Sequence, residues 1–132
     1  MLSSRSKATR WFEEVWRPGG EATVLELMAE DVVGQMEGSV ISGREAFLEE
    51  RSKMLNSFQA FSIKAEDIVT EGDKVVVRWS VQARSFSPSP DKPGIDVEFR
   101  GMTWMEFKDG LIIKGWDSWN LGGLIQKLTS GE

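Results

Sequence analysis

Apolar residues recur at helical spacing through the first third of the chain and then switch to strand alternation. From Ser4 to Trp16, the residues Ala8, Trp11, Phe12, Val15 and Trp16 form one stripe, which predicts an amphipathic helix ended by "RPGG". A second, short helix is predicted over "ATVLELMAED", with Val24, Leu25 and Met28 on one face. "VVGQMEGSVI" reads as a small hairpin. A third helix is predicted from "SGREAF", where Ser42 and Glu45 have capping-box spacing and Phe47, Met54, Leu55 and Phe58 continue a buried face.

After Phe58 the period is two. "FSIKAEDIVTEGDKVVVRWSVQARSF" is two β-branched runs joined at Gly72–Asp73, a two-residue hairpin signal. "SPSPDKPG" holds too much proline for a central strand and reads as an exposed connection. "IDVEFRGMTWMEF" and "LIIKGWDSW" are two more strands, joined by Asp109–Gly110, a type I′ signal. "LGGLIQKL" places Leu121, Leu124, Ile125 and Leu128 on one helical face. Helices followed by a long antiparallel sheet give an α+β plan. A length of 132 residues fits one domain over 1–132.

Composition narrows the chemistry. The chain has no Cys, His or Tyr. That excludes disulfides, a thiolate nucleophile, an imidazole base and a phenol donor, so acid–base work falls to carboxylates or lysine. Carboxylates alone suit hard cations, and no metal or other cofactor is expected. The net charge is −5 with the sixteen basic residues scattered, which leaves no footprint for nucleic acid. No apolar run approaches the ~20 residues that span a bilayer, so no membrane association is expected and a cytoplasmic location is the default. Six tryptophans are many for this length. They serve either as core and dimer interface or as walls against a flat ligand.

The order "RWFEEVW", "ELMAEDVV", "SGREAFLEE", "IVTEGDKVVVRW" and "FKDGLIIKGWDSWNLGGLIQKL" resembles the SnoaL-like polyketide cyclase family of the nuclear-transport-factor-2-like superfamily. The resemblance runs from about Arg10 to Leu128. It implies a cone-shaped α+β fold with a pocket between a strongly curved sheet and the helices, and a homodimer through the outer sheet face. Members of that superfamily include polyketide cyclases, ketosteroid isomerases, epoxide hydrolases and domains that bind without catalysis. The position of the cyclases' acid–base aspartate is Asn120 here, which cannot shuttle a proton at neutral pH. The carboxylate positions of the isomerases hold Gly34 or Gln35 and Thr103, and Lys114 and Gly115 stand where glutamate and histidine are common.

With a regular two-residue turn at Asp109–Gly110, Met102 pairs with Asp117. Thr103, Met105, Lys114, Trp116, Ser118 and Asn120 then share one face, and Arg100, Met102, Trp104, Glu106, Asp117 and Trp119 the other. Asn120 is the first candidate catalytic residue, with an N-cap of the last helix as the competing reading. Asp117 is the second. An ion pair with Arg100 on the outer face competes with it, and only a bulge before Asn120 would turn it inward. Ligand contact is expected from Trp16, Gln35, Trp79, Thr103, Met105, Trp116 and Ser118. Arg78 lies opposite Asp67, which favours a cross-strand ion pair over a ligand carboxylate. Lys114 reads as a solvated strand residue before an imine-forming amine.

These readings converge on a small-molecule pocket for a hydrophobic or aromatic ligand. Proton-transfer activity of the cyclase or isomerase type is in question because of Asn120. A non-catalytic dimeric binding or interaction module is the alternative.

Overall fold

The computed structural model describes residues 3–130. Helix α1 (Ser4–Glu14) is capped by Ser3, whose side chain accepts from the Ser6 N–H, and buries Ala8, Trp11 and Phe12. Helix α2 (Glu21–Leu27) is shorter than the pattern predicts, because the chain becomes extended at Met28. Strands β1 (Met28–Met36) and β2 (Ser39–Ser42) form the small hairpin. Helix α3 (Arg44–Asn56) follows Gly43, which has φ of 96° and carries no side-chain cap, so the Ser42–Glu45 capping box is not made. Ser42 instead belongs to β2 and pairs with Val33.

Four long strands follow: β3 (Phe58–Glu71), β4 (Lys74–Ser85), β5 (Asp96–Lys108) and β6 (Leu111–Trp119). Helix α4 (Leu121–Ser130) follows β6. The six strands make one curved sheet in the order β2-β1-β6-β5-β4-β3. All neighbours are antiparallel except β1 and β6, a parallel contact that strand periodicity alone does not announce. It depends on Gly34, where a Cβ would sit 2.1 Å from the Gly115 carbonyl oxygen.

Alternation along β4 and β5 sends Val75, Val77, Trp79, Val81 and Ala83, with Val97, Phe99, Thr103, Met105 and Phe107, to the face covered by the helices. There they meet Trp11, Phe12, Val15 and Trp16 of α1 and its exit, and Phe47 of α3. Burying a side chain of this size contributes roughly 1.5–3 kcal/mol each, which makes this layer the main source of stability. Arg51 of α3 is fully buried. Its guanidinium donates to the carbonyls of Val15 (2.7 Å) and Arg17 (2.6 Å) and pairs with Glu21 (3.0 Å), so it satisfies the chain end of α1 and fixes the link to α2.

Both two-residue hairpins form where the sequence places them, with Glu71 opposite Lys74 and Lys108 opposite Leu111. Asp109 and Gly110 have φ of 53° and 82°, as a type I′ turn requires. The β5–β6 ladder then departs from regular pairing. Phe107 pairs with Ile112 but Glu106 with Lys114, so Ile113 is an extra residue in β6. This bulge shifts the register by one, which inverts the faces of everything beyond it.

Candidate active site

The inverted register brings Asp117 opposite Thr103 and turns it toward the helices. The expected outer-face position of Asp117, and its ion pair with Arg100, are therefore corrected. Arg100 is exposed and sits 3.4 Å from Glu98 instead. Trp119 turns inward with Asp117. Trp116, Ser118 and Lys114 turn outward, so neither Trp116 nor Ser118 faces the cavity as expected. Trp116 is 40% exposed and packs edge-on against Trp104 with centroids 6.3 Å apart. Lys114 is exposed opposite Glu106.

Asn120 is exposed and makes the N-cap of α4. Its Oδ1 accepts the Gly123 N–H at 2.9 Å and its carbonyl accepts from Leu124 at 3.1 Å. Its side chain is not part of the cavity wall. Arg78 and Asp67 are opposite each other, as expected, but no ion pair joins them among the described residues. The Asp67 carboxylate accepts its neighbour's N–H, from Ile68, at 2.9 Å.

Between the sheet and α1 and α3 lies a cavity of about 80 Å³. Trp16, Trp79, Thr103 and Met105 line it, and β1 borders it at Gln35, which is exposed beside the outward-facing Trp116 rather than directed into the cavity as expected. Its walls are otherwise largely apolar, and Asp117 is the one ionisable side chain among the described lining residues. On one side Phe99 stacks on Trp119 at 4.8 Å, and Trp79 meets both rings edge-on at 6.2 and 6.4 Å. Gly101 makes this possible. A Cβ there would lie 2.6 Å from Cζ2 of Trp79 and 2.7 Å from Cβ of Trp119.

The Asp117 carboxyl is deeply surrounded by protein yet keeps some accessible surface, as a group in a cavity wall does. Desolvation is the largest influence on it and pushes its pKa up from 3.8 to about 6. Thr103 opposes this by donating its hydroxyl to Oδ1 at 2.6 Å. The negative charge of Glu37 reinforces it. Glu37 stands in the β1–β2 turn and accepts the Trp119 N–H at 3.1 Å. Sequence reasoning missed Glu37, since an acidic residue in a hairpin turn carries no signal of a neighbour 80 positions away. Behind Thr103, the Trp79 indole N–H donates to the same hydroxyl oxygen at 2.9 Å. Chemically, the arrangement is one carboxyl near neutrality in an aromatic chamber, able to take up or release a proton close to physiological pH.

Residues 8–115 match the SnoaL-like domain family. Among solved structures, the chain is similar to a candidate SnoaL-like polyketide cyclase from Jannaschia sp. CCS1, at 19% identity and a TM-score of 0.86, over 98% of this chain and 93% of that one. Wild-type IdmH, a candidate polyketide cyclase from Streptomyces antibioticus, superposes at 20% identity and a TM-score of 0.80, covering 97% and 99%. AclR, a candidate hydroxylase from Streptomyces galilaeus, does so at 21% identity and 0.77, covering 98% and 100%. At such identities these likenesses establish the shared α+β fold. Among curated proteins, none matches. No described helix is long and apolar enough to cross a membrane.

Proposed function

The chain belongs to the SnoaL-like domain family, and from that premise we propose that it transfers protons on a small hydrophobic carbonyl compound, with Asp117 as the acid–base group. The observation that carries this reading is the position of the Asp117 carboxyl, in the wall of an aromatic cavity and with a pKa raised to about 6. A base with that pKa is mostly ionised at pH 7 yet is a far stronger base than a solvated aspartate.

The step is a proton transfer in two halves. The carboxylate takes a proton from the carbon beside a ligand carbonyl, and the electron pair of the broken C–H bond becomes the enolate. The carboxylic acid then returns the proton, either to another carbon of the conjugated system or to the oxygen released when the enolate carbon bonds to a second carbonyl. The first outcome is an isomerisation and the second a cyclisation. Two of the fold relatives are candidate polyketide cyclases, which fits the second outcome.

The cavity of about 80 Å³ is small beside the ~300–1,000 Å³ of common ligand pockets. At this volume a compact, largely apolar molecule of a single ring suits it, seated against the Phe99–Trp119 stack. Deuterium wash-in at the acidic carbon of cyclohexanone, followed by NMR, tests the reading. The wild-type protein accelerates exchange, and Asp117→Asn loses roughly 10²–10⁴-fold of that acceleration. Undiminished exchange in Asp117→Asn overturns the assignment. Stoichiometric binding of ligand without any exchange favours a binding role instead.

A second copy of the chain is the proposed occupant of the outer sheet face. There Met102, Trp104 and Trp116 are 53%, 41% and 40% exposed and adjacent across β5 and β6. Two neighbouring exposed indoles mark an interaction surface, and a two-fold contact would match this patch against itself.

A further inference from the structure

Trp79, Thr103 and Asp117 form a hydrogen-bonded chain whose direction is fixed by the chemistry of its members. An indole N–H only donates, so at 2.9 Å the Thr103 oxygen must be its acceptor. The threonine hydroxyl has one proton, and the short contact of 2.6 Å to Oδ1 of Asp117 is where that proton goes. We propose that Thr103 is a positioning residue, oriented by Trp79, that dedicates Oδ1 of Asp117 to the protein and leaves Oδ2 as the oxygen that exchanges the proton. This rests on the reading of Asp117 as the acid–base group.

The surroundings reinforce the asymmetry. Among the described residues, the bond from Thr103 is the one hydrogen bond that reaches the carboxyl, and it goes to Oδ1. Donation from Thr103 withdraws electron density from Oδ1 and makes it the less basic oxygen, and the Trp79 N–H on the Thr103 oxygen keeps the hydroxyl proton directed there. Proton uptake is therefore directed to Oδ2. Glu37, from the β1–β2 turn, is the other charged group that acts on Asp117. Its carboxylate is held by the Trp119 N–H, and the remaining described cavity walls, from α1, α3, β1 and β3 to β5, bring no further charge. Sequence reasoning treats Trp79 and Thr103 as separate wall residues. Only the folded sheet, which sets Trp79 of β4 diagonally across from Thr103 of β5, joins them.

The test reads the carboxyl itself and needs no substrate. The ¹³C shift of the Asp117 carboxyl is followed against pH in the wild-type protein and in Thr103→Val, Thr103→Ser and Trp79→Phe. Removing a hydrogen bond to a charged acceptor moves the midpoint upward by roughly one to two pH units in Thr103→Val. Thr103→Ser returns it to the wild-type position, and Trp79→Phe raises it by less than Thr103→Val does. In crystals of the wild-type protein at pH 5, atomic-resolution bond lengths show Cγ–Oδ2 longer than Cγ–Oδ1. A midpoint unmoved in Thr103→Val, or the longer bond at Oδ1, overturns the proposal. If the midpoints move as stated while Asp117→Asn retains full deuterium exchange, the functional reading fails and the positioning role stands.

Discussion

Thr103 faces Asp117 directly across the β5–β6 ladder, and its hydroxyl donates to the carboxyl at 2.6 Å. That opposition exists because Ile113 is an extra residue in β6. Without the bulge, Asp117 would pair with Met102 on the far side of the sheet, and the cavity would lose its ionisable side chain. One residue of register thus separates an acid–base cavity from an apolar one.

Burial of Asp117 has a cost that depends on pH in a definite direction. Its pKa is raised, so between about 4 and 6 the folded state holds more protons than the unfolded one, and stability falls as pH rises through that window. A rise from 3.8 to about 6 corresponds to about 3 kcal/mol, fully in force at pH 7. Asp117→Asn has no such ionisation and can still accept from Thr103 through its amide oxygen. Its stability relative to wild type therefore climbs by up to about 3 kcal/mol between pH 4 and 7. Urea midpoints across that range check this, and a difference that stays flat contradicts it.

Gly101 is the clearance on which the aromatic wall depends. In Gly101→Ala the new methyl collides with Trp79, Trp119 and the Ser118 carbonyl. Overpacking of this kind costs typically ~1–3 kcal/mol. Unfolding in urea gives the loss, and the same displacement of Trp79 weakens its bond to Thr103, which raises the Asp117 midpoint. Wild-type stability in Gly101→Ala would contradict the packing described.

Asn120 separates a structural role from a chemical one. Replacing a capping asparagine by alanine costs about 1 kcal/mol, because the Gly123 N–H loses its acceptor. Asn120→Ala is expected to lower the melting temperature by a few degrees and leave deuterium exchange unchanged. A large loss of exchange at unchanged stability would restore Asn120 to the chemistry.

Trp104 and Trp116 test the outer face. The double variant Trp104→Glu, Trp116→Glu places like charges where two copies would meet. The sheet itself tolerates them, since both side chains are already about 40% exposed. Sedimentation is expected to show a wild-type dimer and a folded monomeric variant. A wild-type monomer at micromolar concentration would refute the self-association.

Much of the fold was legible because its signals are local. Asp109–Gly110 and Gly72–Asp73 announce their turns through residues that tolerate positive φ, and period-two runs announce β4 and β5. Trp16, Trp79, Thr103 and Met105 border the cavity, in keeping with alternation and the family resemblance. What was hidden is non-local or unmarked. Ile113 is a β-branched residue in a β-branched run, and nothing in its type distinguishes a bulge from a regular pair. Helix α2 stops at Leu27 because Met28 joins a parallel pairing with β6, a partner more than 80 residues away. The Ser42–Glu45 spacing matches a capping box, but pairing with Val33 claims Ser42 for the sheet.

The central claim, that the Asp117 carboxylate removes the proton, is tested most directly by the pH dependence of kcat/KM for deuterium wash-in. With Asp117 as base the rate rises with pH and levels off at a single break near pH 6, the value of about 6 set by its burial. A profile that is flat through that region, or one that breaks in the range of an ordinary solvated aspartate, contradicts the account.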